Sequence, residues 1–209
     1  EFYYDFSSPN AYFAALMLPA IAGRSGATID YRPFFLGGLF KLLGAAMTPG
    51  MSTPEKAAAS LRDLERWSAK HGIALRFPSR FPINTLGALR ISLLCDELLL
   101  SHRAWAEAVF RAYWVDDRDI ADESVLAEIL TSLGQDAAAV LARSRSPAVK
   151  DALRAATEAA RGRGVFGAPV SVDEWLAAHP GVLELPREQR LPQVGLLAGE
   201  VMRRIGAIM

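Results

Sequence analysis

The sequence predicts an α/β fold in which a small unit of strands and helices is interrupted by a long helical insertion. Three observations support this fold class: a strand–helix–strand pattern opens the chain, helical patterns fill its middle, and a third strand-like stretch, "GAPVSV", appears only at residues 167–172. Because the strand-like stretches lie near the two ends, we expect the helical middle to split one α/β unit.

The opening unit consists of two short strands and the helix between them. In the first strand apolar residues alternate with others, which predicts one face toward a core: Phe2, Tyr3, Tyr4, Asp5 and Phe6. Apolar residues then recur at helical spacing from Asn10 to about Gly23. The stretch "ATIDYRPFFL" predicts a second strand, parallel to the first if the helix is a crossover connection.

The middle of the chain, from the end of "LGG" to about residue 164, shows helical periodicity interrupted by "MTPGMSTP", "RFPSRFPIN" and "SLGQD". Three apolar helix faces are predicted there: Leu61, Leu64 and Trp67; Leu86, Leu89, Leu93 and Leu100; Ala108, Val109, Ala112 and Tyr113. The closing stretch, "QVGLLAGEVMRRIGAIM", predicts a final helix.

Composition limits the class of protein. The 209 residues include 23 Lys+Arg and 23 Asp+Glu, and 51% of them are apolar, so we expect a globular protein that does not bind nucleic acid through bulk charge. Apolar stretches end well before the roughly 20 residues that a membrane span requires. Since no basic and apolar leader precedes the first strand, we expect a cytoplasmic protein without a transmembrane helix.

Several kinds of site are not indicated by the sequence. The one cysteine, Cys95, lies in "ISLLCDELLL" and is predicted to be buried, and a single cysteine excludes an intramolecular disulfide. The three histidines, His71, His102 and His179, are predicted to be surface or capping residues. No cluster has metal-ligand spacing and no glycine-rich phosphate loop is present, so neither a metal nor a nucleotide cofactor is expected.

The junction of the first strand and helix contains Ser8 and Pro9. A serine N-cap followed by proline is typical of a helix start. The same position also suits an anion, because amides and positive potential meet there, and a hydroxyl donor would lower the pKa of a bound thiol. Both interpretations are open; a hydrolase triad built on Ser8 is less favoured, since no histidine is indicated as its base.

Several stretches together resemble the 2-hydroxychromene-2-carboxylate isomerase family, relatives of kappa-class glutathione transferases on a DsbA-like thioredoxin fold. The matching stretches are "FYYDFSSPNAYFA", "DYRPFFLGGLFK", "RWSAKHGIALRFPSRFPINTLGALR", "VFRAYWVDDRDIADESVLAEIL" and "GVFGAPV". The resemblance implies a discontinuous thioredoxin-like domain, residues 1–40 and 165–209, and a helical insertion domain, residues 41–164. It also implies glutathione as cofactor.

The resemblance assigns roles to residues that lie far apart in the chain. Ser8 and Ala11 stand where a disulfide oxidase carries the two cysteines of C-x-x-C, so an oxidoreductase is not expected and the thiol must come from outside. Ser8 is implied to be catalytic, holding the sulfur of glutathione. Ala168 is implied to pair with the backbone of glutathione, and Pro169 to be cis, whereas local sequence alone indicates an edge-strand start.

The resemblance also implies substrate-binding residues. Lys41 matches a lysine that contacts the organic substrate, although a solvated lysine is an equal alternative. Phe81 and Asn84 match a segment that lines the cleft, and Asn84 is equally placed to be a helix N-cap. The family commonly has Gly-Asn after the lysine, whereas Ala45 follows Gly44 here.

The C-terminal glutathione loop departs further from the family pattern. Arg190 is kept, but Arg187 replaces an expected glycine and Gln189 an expected aspartate. Gln189 and Arg190 are nevertheless the expected cofactor-binding residues of this loop. A neutral glutamine loses the charge-assisted hydrogen bond that an aspartate makes to an amino group.

The reaction implied by the resemblance is cis–trans isomerisation of a chromene carboxylate through glutathione thiolate addition, ring opening and elimination. Two alternatives remain: a kappa-like transferase that releases the conjugate, and a non-catalytic thioredoxin-fold binding protein. The expected partner is a small aromatic carboxylate, and a homodimer is plausible from the family, with no nucleic acid or membrane partner.

Overall fold

The computed structural model describes residues 1–169 of the chain. A short 3₁₀ turn, Pro49–Met51, precedes the third helix. The strands and helices are β1 (Phe2–Tyr4), α1 (Pro9–Ser25), β2 (Tyr31–Pro33), α2 (Leu36–Leu43), α3 (Pro54–His71), α4 (Leu86–Ser92), α5 (His102–Trp114), α6 (Glu123–Ser132), α7 (Ala137–Ser144) and α8 (Pro147–Gly162).

Strands β1 and β2 are parallel, with Phe2 opposite Tyr31, so the predicted strand–helix–strand unit is confirmed. The predicted extent of the second strand is wrong, because only Tyr31–Pro33 pair with β1 and α2 already begins at Leu36. The N–H of Phe34 still donates to the carbonyl of Tyr4, so the ladder ends after Pro33. The chain then turns at once into α2, which places α2 beside the carboxyl ends of both strands.

Strand β1 is buried on both faces, which corrects the expectation of one core face. Tyr3 packs beneath α2 and α8 in a cluster with Phe34, Leu39, Ala160 and Val165. Phe2 and Tyr4 face the main core, which the other helices build. A parallel strand covered by helices on both sides has no polar face, so the alternation of Tyr3 and Asp5 with apolar residues carried no information about exposure.

The leucines from Leu86 to Leu100 do not lie on one helix. Helix α4 ends at Ser92, and the N–H of Leu94 and that of Cys95 bond to carbonyls three residues back, as in a tight turn. The turn ends at Leu99, which has a positive φ of 51° and is 94% exposed. Cys95 is buried, as predicted.

The apolar face of α5 is confirmed, since Val109, Ala112 and Tyr113 are buried in the core. The face of α3 is confirmed in part, because Leu64 is buried while Leu61 and Trp67 are half-buried. Among the described residues, no helix has the length and apolar character needed to cross a membrane.

The predicted third strand begins at residue 167, and no strand is assigned over residues 167–169. The remainder of that stretch and the predicted final helix lie outside the described residues, as do His179, Arg187, Gln189 and Arg190. The thioredoxin-like and helical division of the chain remains a prediction.

Candidate functional site

The site is organised around Ser8, at the junction of β1 and α1. Its Oγ accepts a hydrogen bond from the N–H of Ala11 at 3.2 Å, so the predicted N-cap role is confirmed. The same hydroxyl donates to the carbonyl oxygen of Ala168 at 2.7 Å. The Ala168–Pro169 peptide bond is cis. The fold thus joins two stretches that are 160 residues apart in the chain.

This hydrogen bond has a chemical consequence. Ser8 is 5% exposed, and its one proton is directed at Ala168. An anion at the start of α1 that accepts a hydrogen bond from Ser8 would draw this proton away from the Ala168 carbonyl. The Ala168 carbonyl has two lone pairs, so it can also accept a hydrogen bond from a ligand.

Beneath this junction lies Asp5, which the sequence analysis did not select. It is fully buried; Oδ1 accepts from the N–H and the hydroxyl of Ser7, each at 2.9 Å, and Oδ2 accepts from the N–H of Leu36 at 2.8 Å. Burial raises the pKa of Asp5, and the hydrogen bonds from Ser7 and Leu36 oppose that rise. The carboxylate therefore fastens the loop before α1 to the first residue of α2.

Helix α5 and the segment before α4 hold the loop from the other side. The indole N–H of Trp114 donates to the carbonyl of Phe6 at 2.9 Å, two residues before Ser8. Tyr12 of α1 donates to the carbonyl of Ala74, and Tyr113 donates to that of Arg80 at 2.7 Å. The hydrogen bonds of Trp114 and Tyr12 thus connect the helical part of the chain to the β1–α1 region, whereas that of Tyr113 lies within the helical part.

A cavity of about 350 Å³ opens between α2 and the start of α4. Its polar lining consists of Ser7, Asn84 and Thr85. Its other lining residues are glycine or apolar: Phe35, Leu36, Gly37, Phe40, Met47, Pro82, Ile83 and Leu86. A volume of this size suits a small organic molecule, and no charged side chain lines it among the described residues.

The structure brings only some of the predicted residues to this cavity. Asn84 lines it, and its Oδ1 accepts from the N–H of Leu86 at 3.0 Å, although Thr85 is the residue at the N-cap of α4. Lys41 is exposed in the last turn of α2 and is absent from the lining. Phe81 instead packs against Phe77 and Trp114.

The two described histidines serve structural contacts. His71 stacks on Trp67 at the end of α3, and burial lowers its pKa. His102 stacks on Tyr31, and its Nε2 lies 3.0 Å from Asp96. Neither lines the cavity, and residues 1–169 contain no group of three or more His, Cys, Asp or Glu arranged to hold a metal ion.

Ser7 and Thr85 are further cavity residues that the sequence analysis did not select. The signal available for Ser7 was its position next to Ser8 and two residues after Asp5, a spacing at which an aspartate often accepts from the backbone. For Thr85 there was no local signal, because its burial depends on helices from other parts of the chain.

Comparisons with known proteins identify the family and the fold of the chain. The family model of the DSBA-like thioredoxin domain matches residues 1–174. The 2-hydroxychromene-2-carboxylate isomerase of Sphingobium xenophagum is 32% identical over 170 residues, which are 81% of this chain and 86% of that protein. Human glutathione S-transferase kappa 1 is 28% identical over 181 residues, covering 82% of this chain and 79% of that protein.

A solved structure of a 2-hydroxychromene-2-carboxylate isomerase superposes on the fold with a TM-score of 0.73 at 25% identity, covering 100% of this chain and 98% of that one. The chain therefore belongs to the 2-hydroxychromene-2-carboxylate isomerase family of DSBA-like thioredoxin-domain proteins.

Proposed function

We propose that this protein is a glutathione-dependent cis–trans isomerase of 2-hydroxychromene-2-carboxylate-type aromatic compounds. The observation that carries the proposal is the Ser8 hydroxyl, which caps α1 and contacts the carbonyl of the residue before cis Pro169. Relatives named as isomerases and as glutathione transferases support the choice of chemistry. We also propose that the protein acts in aromatic catabolism.

The described residues fit a thiol-bearing peptide cofactor. Ser8 offers a hydroxyl donor at the start of a 17-residue helix, and Ala168 offers a backbone carbonyl that the Ser8 hydroxyl now occupies. A helix N-terminus and a donated hydrogen bond both favour a thiolate over a thiol. Glutathione, when bound, would supply the nucleophilic sulfur of the reaction. Gln189 and Arg190 remain proposed contacts to it.

The chain's own residues then have three tasks. Ser8 holds negative charge at the start of α1, the cavity beside Ser7 receives the aromatic part of the substrate, and Asn84 lies on the wall of that cavity. Apolar lining excludes water from the ring. The exposed amino group of Lys41 and the ring of Phe81 lie outside the lining, and we propose that Lys41 attracts the substrate carboxylate as it enters.

Further parts of the proposal concern the protein as a whole. We propose a cytoplasmic enzyme, active as a homodimer, in which residues 1–40 and 165–209 form the thioredoxin-like domain and residues 41–164 the helical domain. The boundary near residue 41 falls inside α2, so this helix would belong to both.

The test is the substitution Ser8→Ala, with Ser146→Ala as its matched control. Ser146 also caps a long helix and precedes a proline, and its Oγ accepts from the N–H of Val149. Each variant should lose about 0.5–2 kcal/mol of stability, the usual effect of removing an N-cap. Ser8→Ala alone should lower the glutathione-dependent isomerisation rate by about 100-fold or more, since it also removes an anion-stabilising donor.

The measurements are isomerisation followed by absorbance, glutathione binding by calorimetry, and urea unfolding. Full activity in Ser8→Ala would mean that Ser8 acts only as the N-cap of α1, and it would contradict a catalytic role. Absence of both glutathione uptake and turnover in the natural protein would instead favour a non-catalytic binding protein.

A kappa-like glutathione transferase is the second candidate, favoured by the relative of that name. The two activities differ in the fate of the thiol. An isomerase returns it after each cycle, whereas a transferase consumes one thiol for each conjugate. We expect the thiol concentration to stay constant during turnover of a chromene carboxylate; loss of thiol in proportion to product would favour the transferase.

A further inference from the structure

Residues 45–71, which we call the flap, lie between two glycines in the left-handed conformation. Gly44 ends α2 and Gly72 ends α3, and each has a φ of 63°. A Cβ at either position would meet nothing within 4 Å, so neither glycine is held by close packing. Glycines of this kind can absorb the change in backbone dihedrals that moves one segment relative to the rest of a protein.

The flap packs mainly on itself. Helix α3 lies against the 3₁₀ turn Pro49–Met51, and Ser60 Oγ donates to the carbonyl of Gly50 at 2.9 Å. Of the flap side chains whose burial the structure describes, Leu64 alone is buried. No flap residue belongs to either of the hydrophobic clusters that the described residues form. The flap is therefore a compact unit with little attachment to the core.

The polar contacts of the flap lead to the same conclusion. Within residues 1–169, its hydrogen bonds and ion pairs either stay inside the flap or reach residues beside its two ends. At the first end the N–H of Ala45 donates to the carbonyl of Phe40, and at the second end Ser68 Oγ donates to the carbonyl of Ile73 at 2.7 Å. Movement of the flap as a unit would break few buried contacts, so its free-energy cost is low.

Met47 is the flap residue that lines the cavity. Its Cε lies 3.1 Å from the position that a Cβ on Gly37 would take, so its methyl group lies against the first turn of α2. The side chain is still 57% exposed. A ligand in the cavity would cover part of this apolar surface, and removing apolar surface from water favours binding.

The α2 wall of the cavity, by contrast, is held by the core. The N–H of Phe35 donates to Thr157 Oγ1 of α8 at 3.0 Å, and the N–H of Leu36 donates to the buried Asp5 at 2.8 Å. Phe35 and Leu36 both line the cavity. The movable part of the described lining is therefore Met47.

We propose that Met47 is a specificity-determining residue and that the flap moves it onto the aromatic ring of a bound substrate. This rests on the proposed function in one respect, that the cavity receives the aromatic part of the substrate. Methionine suits the role, because its unbranched thioether side chain adapts to different shapes and makes favourable contacts with aromatic rings. The room that Met47 leaves beside α2 selects substrates by ring size.

The first experiment compares two probes, trans-cinnamate with one ring and trans-3-(2-naphthyl)acrylate with two fused rings. Calorimetry without glutathione measures both affinities for the natural chain, Met47→Ala, Met47→Leu and the control Met51→Ala. Met51 lies on the same flap and is absent from the cavity lining.

Met47→Ala should weaken trans-cinnamate binding about fivefold or more, because the ring loses an apolar contact. The larger probe can occupy the space that the substitution opens, so the affinity ratio should shift toward the naphthyl probe by at least about threefold. Met47→Leu should keep the natural ratio, since leucine has a similar volume. Met51→Ala should keep it as well.

Hydrogen exchange measured by mass spectrometry tests the movement. No residue of α3 lines the described cavity, so direct contact with a ligand does not protect its amides. We expect saturating trans-cinnamate to slow exchange in α3 by at least about threefold relative to α7, because a closed flap opens less often. Met47→Ala at saturation should show no such slowing.

Each part of the proposal has an outcome that overturns it. An unchanged affinity ratio in Met47→Ala, an equal shift in Met51→Ala, or no affinity for either probe would exclude Met47 as a specificity residue. Unchanged exchange in α3 on probe binding would exclude the moving flap. Neither measurement needs a thiol, so both can fail while the Ser8 test succeeds, and loss of glutathione dependence would leave the ring-size preference intact.

Discussion

At the scale of single residues, Asp5 and Asp117 each accept two hydrogen bonds from one serine, but Asp5 is buried and Asp117 is near the surface. Asp5 accepts from the N–H and hydroxyl of Ser7, and Asp117 accepts in the same way from Ser79, at 2.7 and 3.0 Å. Burial raises the pKa of Asp5, whereas the N–H of Ser79 lowers that of Asp117. Burial, and not the pair of hydrogen bonds from serine, therefore decides the direction of the pKa shift.

The substitution Asp5→Asn should therefore have a pH-dependent effect on stability. An amide cannot accept at both ends, so the variant should lose about 1–3 kcal/mol through an unpaired N–H. Because the folded-state pKa of Asp5 is raised, the natural chain's advantage is greatest below about pH 4, where the unfolded carboxyl is also protonated. That advantage should shrink as pH rises through the raised pKa.

Asp117→Asn is the control, because its effect on stability should change with pH in the opposite direction. Since the pKa of Asp117 is lowered in the folded state, its contribution is present above the unfolded pKa and is lost as pH falls through the folded one. Urea unfolding from pH 3 to pH 8 measures both differences. An advantage of the natural chain over Asp5→Asn that grows with pH would contradict the assigned shift.

At the scale of elements, α2 requires a glycine at position 37. The ring of Phe35, the N-cap residue of the helix, packs directly against that glycine. A Cβ at Gly37 would lie 2.9 Å from Cζ of Phe35 and 3.1 Å from Cε of Met47. Both side chains line the cavity, so the helix can approach them only without a side chain at Gly37. The sequence predicts that the helical region begins after "LGG", but Gly37 and Gly38 are the second and third residues of α2.

Replacing Gly37 with Ala should push the Phe35 ring toward the cavity and reduce affinity for trans-cinnamate. The control is Gly23→Ala in α1, where nothing lies within 4 Å of the added Cβ. Gly23→Ala should gain up to about 1 kcal/mol, the helix-propensity difference. Gly37→Ala should lose that gain, since overpacking costs about 1–3 kcal/mol. Equal stabilisation and unchanged binding in the two variants would show that Phe35 moves freely.

At the scale of the whole molecule, one helix joins the core to the site. Helix α5 carries two fully buried tryptophans, Trp105 and Trp114. Trp105 donates to Ser92 Oγ at 3.0 Å, within the helical part of the chain, whereas Trp114 donates to the carbonyl of Phe6 in the loop before α1. The second hydrogen bond fixes the position of that loop relative to α5.

The variants Trp105→Phe and Trp114→Phe separate stability from site geometry. Each should lose at least about 1–3 kcal/mol, because each leaves a buried hydrogen-bonding group unpaired. Only Trp114→Phe should also weaken glutathione binding, since the loop that carries Ser8 loses the hydrogen bond from the indole N–H to the Phe6 carbonyl. Urea unfolding and calorimetry measure the two effects. Equal binding in the two variants would mean that Asp5 alone suffices to hold the loop.

Local patterns predicted much of this architecture. The cap at Ser8, the crossover helix and the apolar face of α5 each follow from neighbouring residues, because capping and helical periodicity are local properties. The single helix expected from Leu86 to Leu100 was wrong, since apolar residues continue through the turn after Ser92 into the same core. The spacing of apolar residues indicates which residues are buried. A buried turn can show the same spacing as a helix.

The sequence by itself determined the family, the fold class and the serine at the start of α1, because these depend on residue types and spacings within short stretches. Only the tertiary structure decided that Ser8 meets Ala168, that Asp5 fastens two loops, and that Thr85 is buried beside the cavity. Those features are contacts between residues distant in the chain, and a hydroxyl gains or lacks a partner only when separate elements pack together.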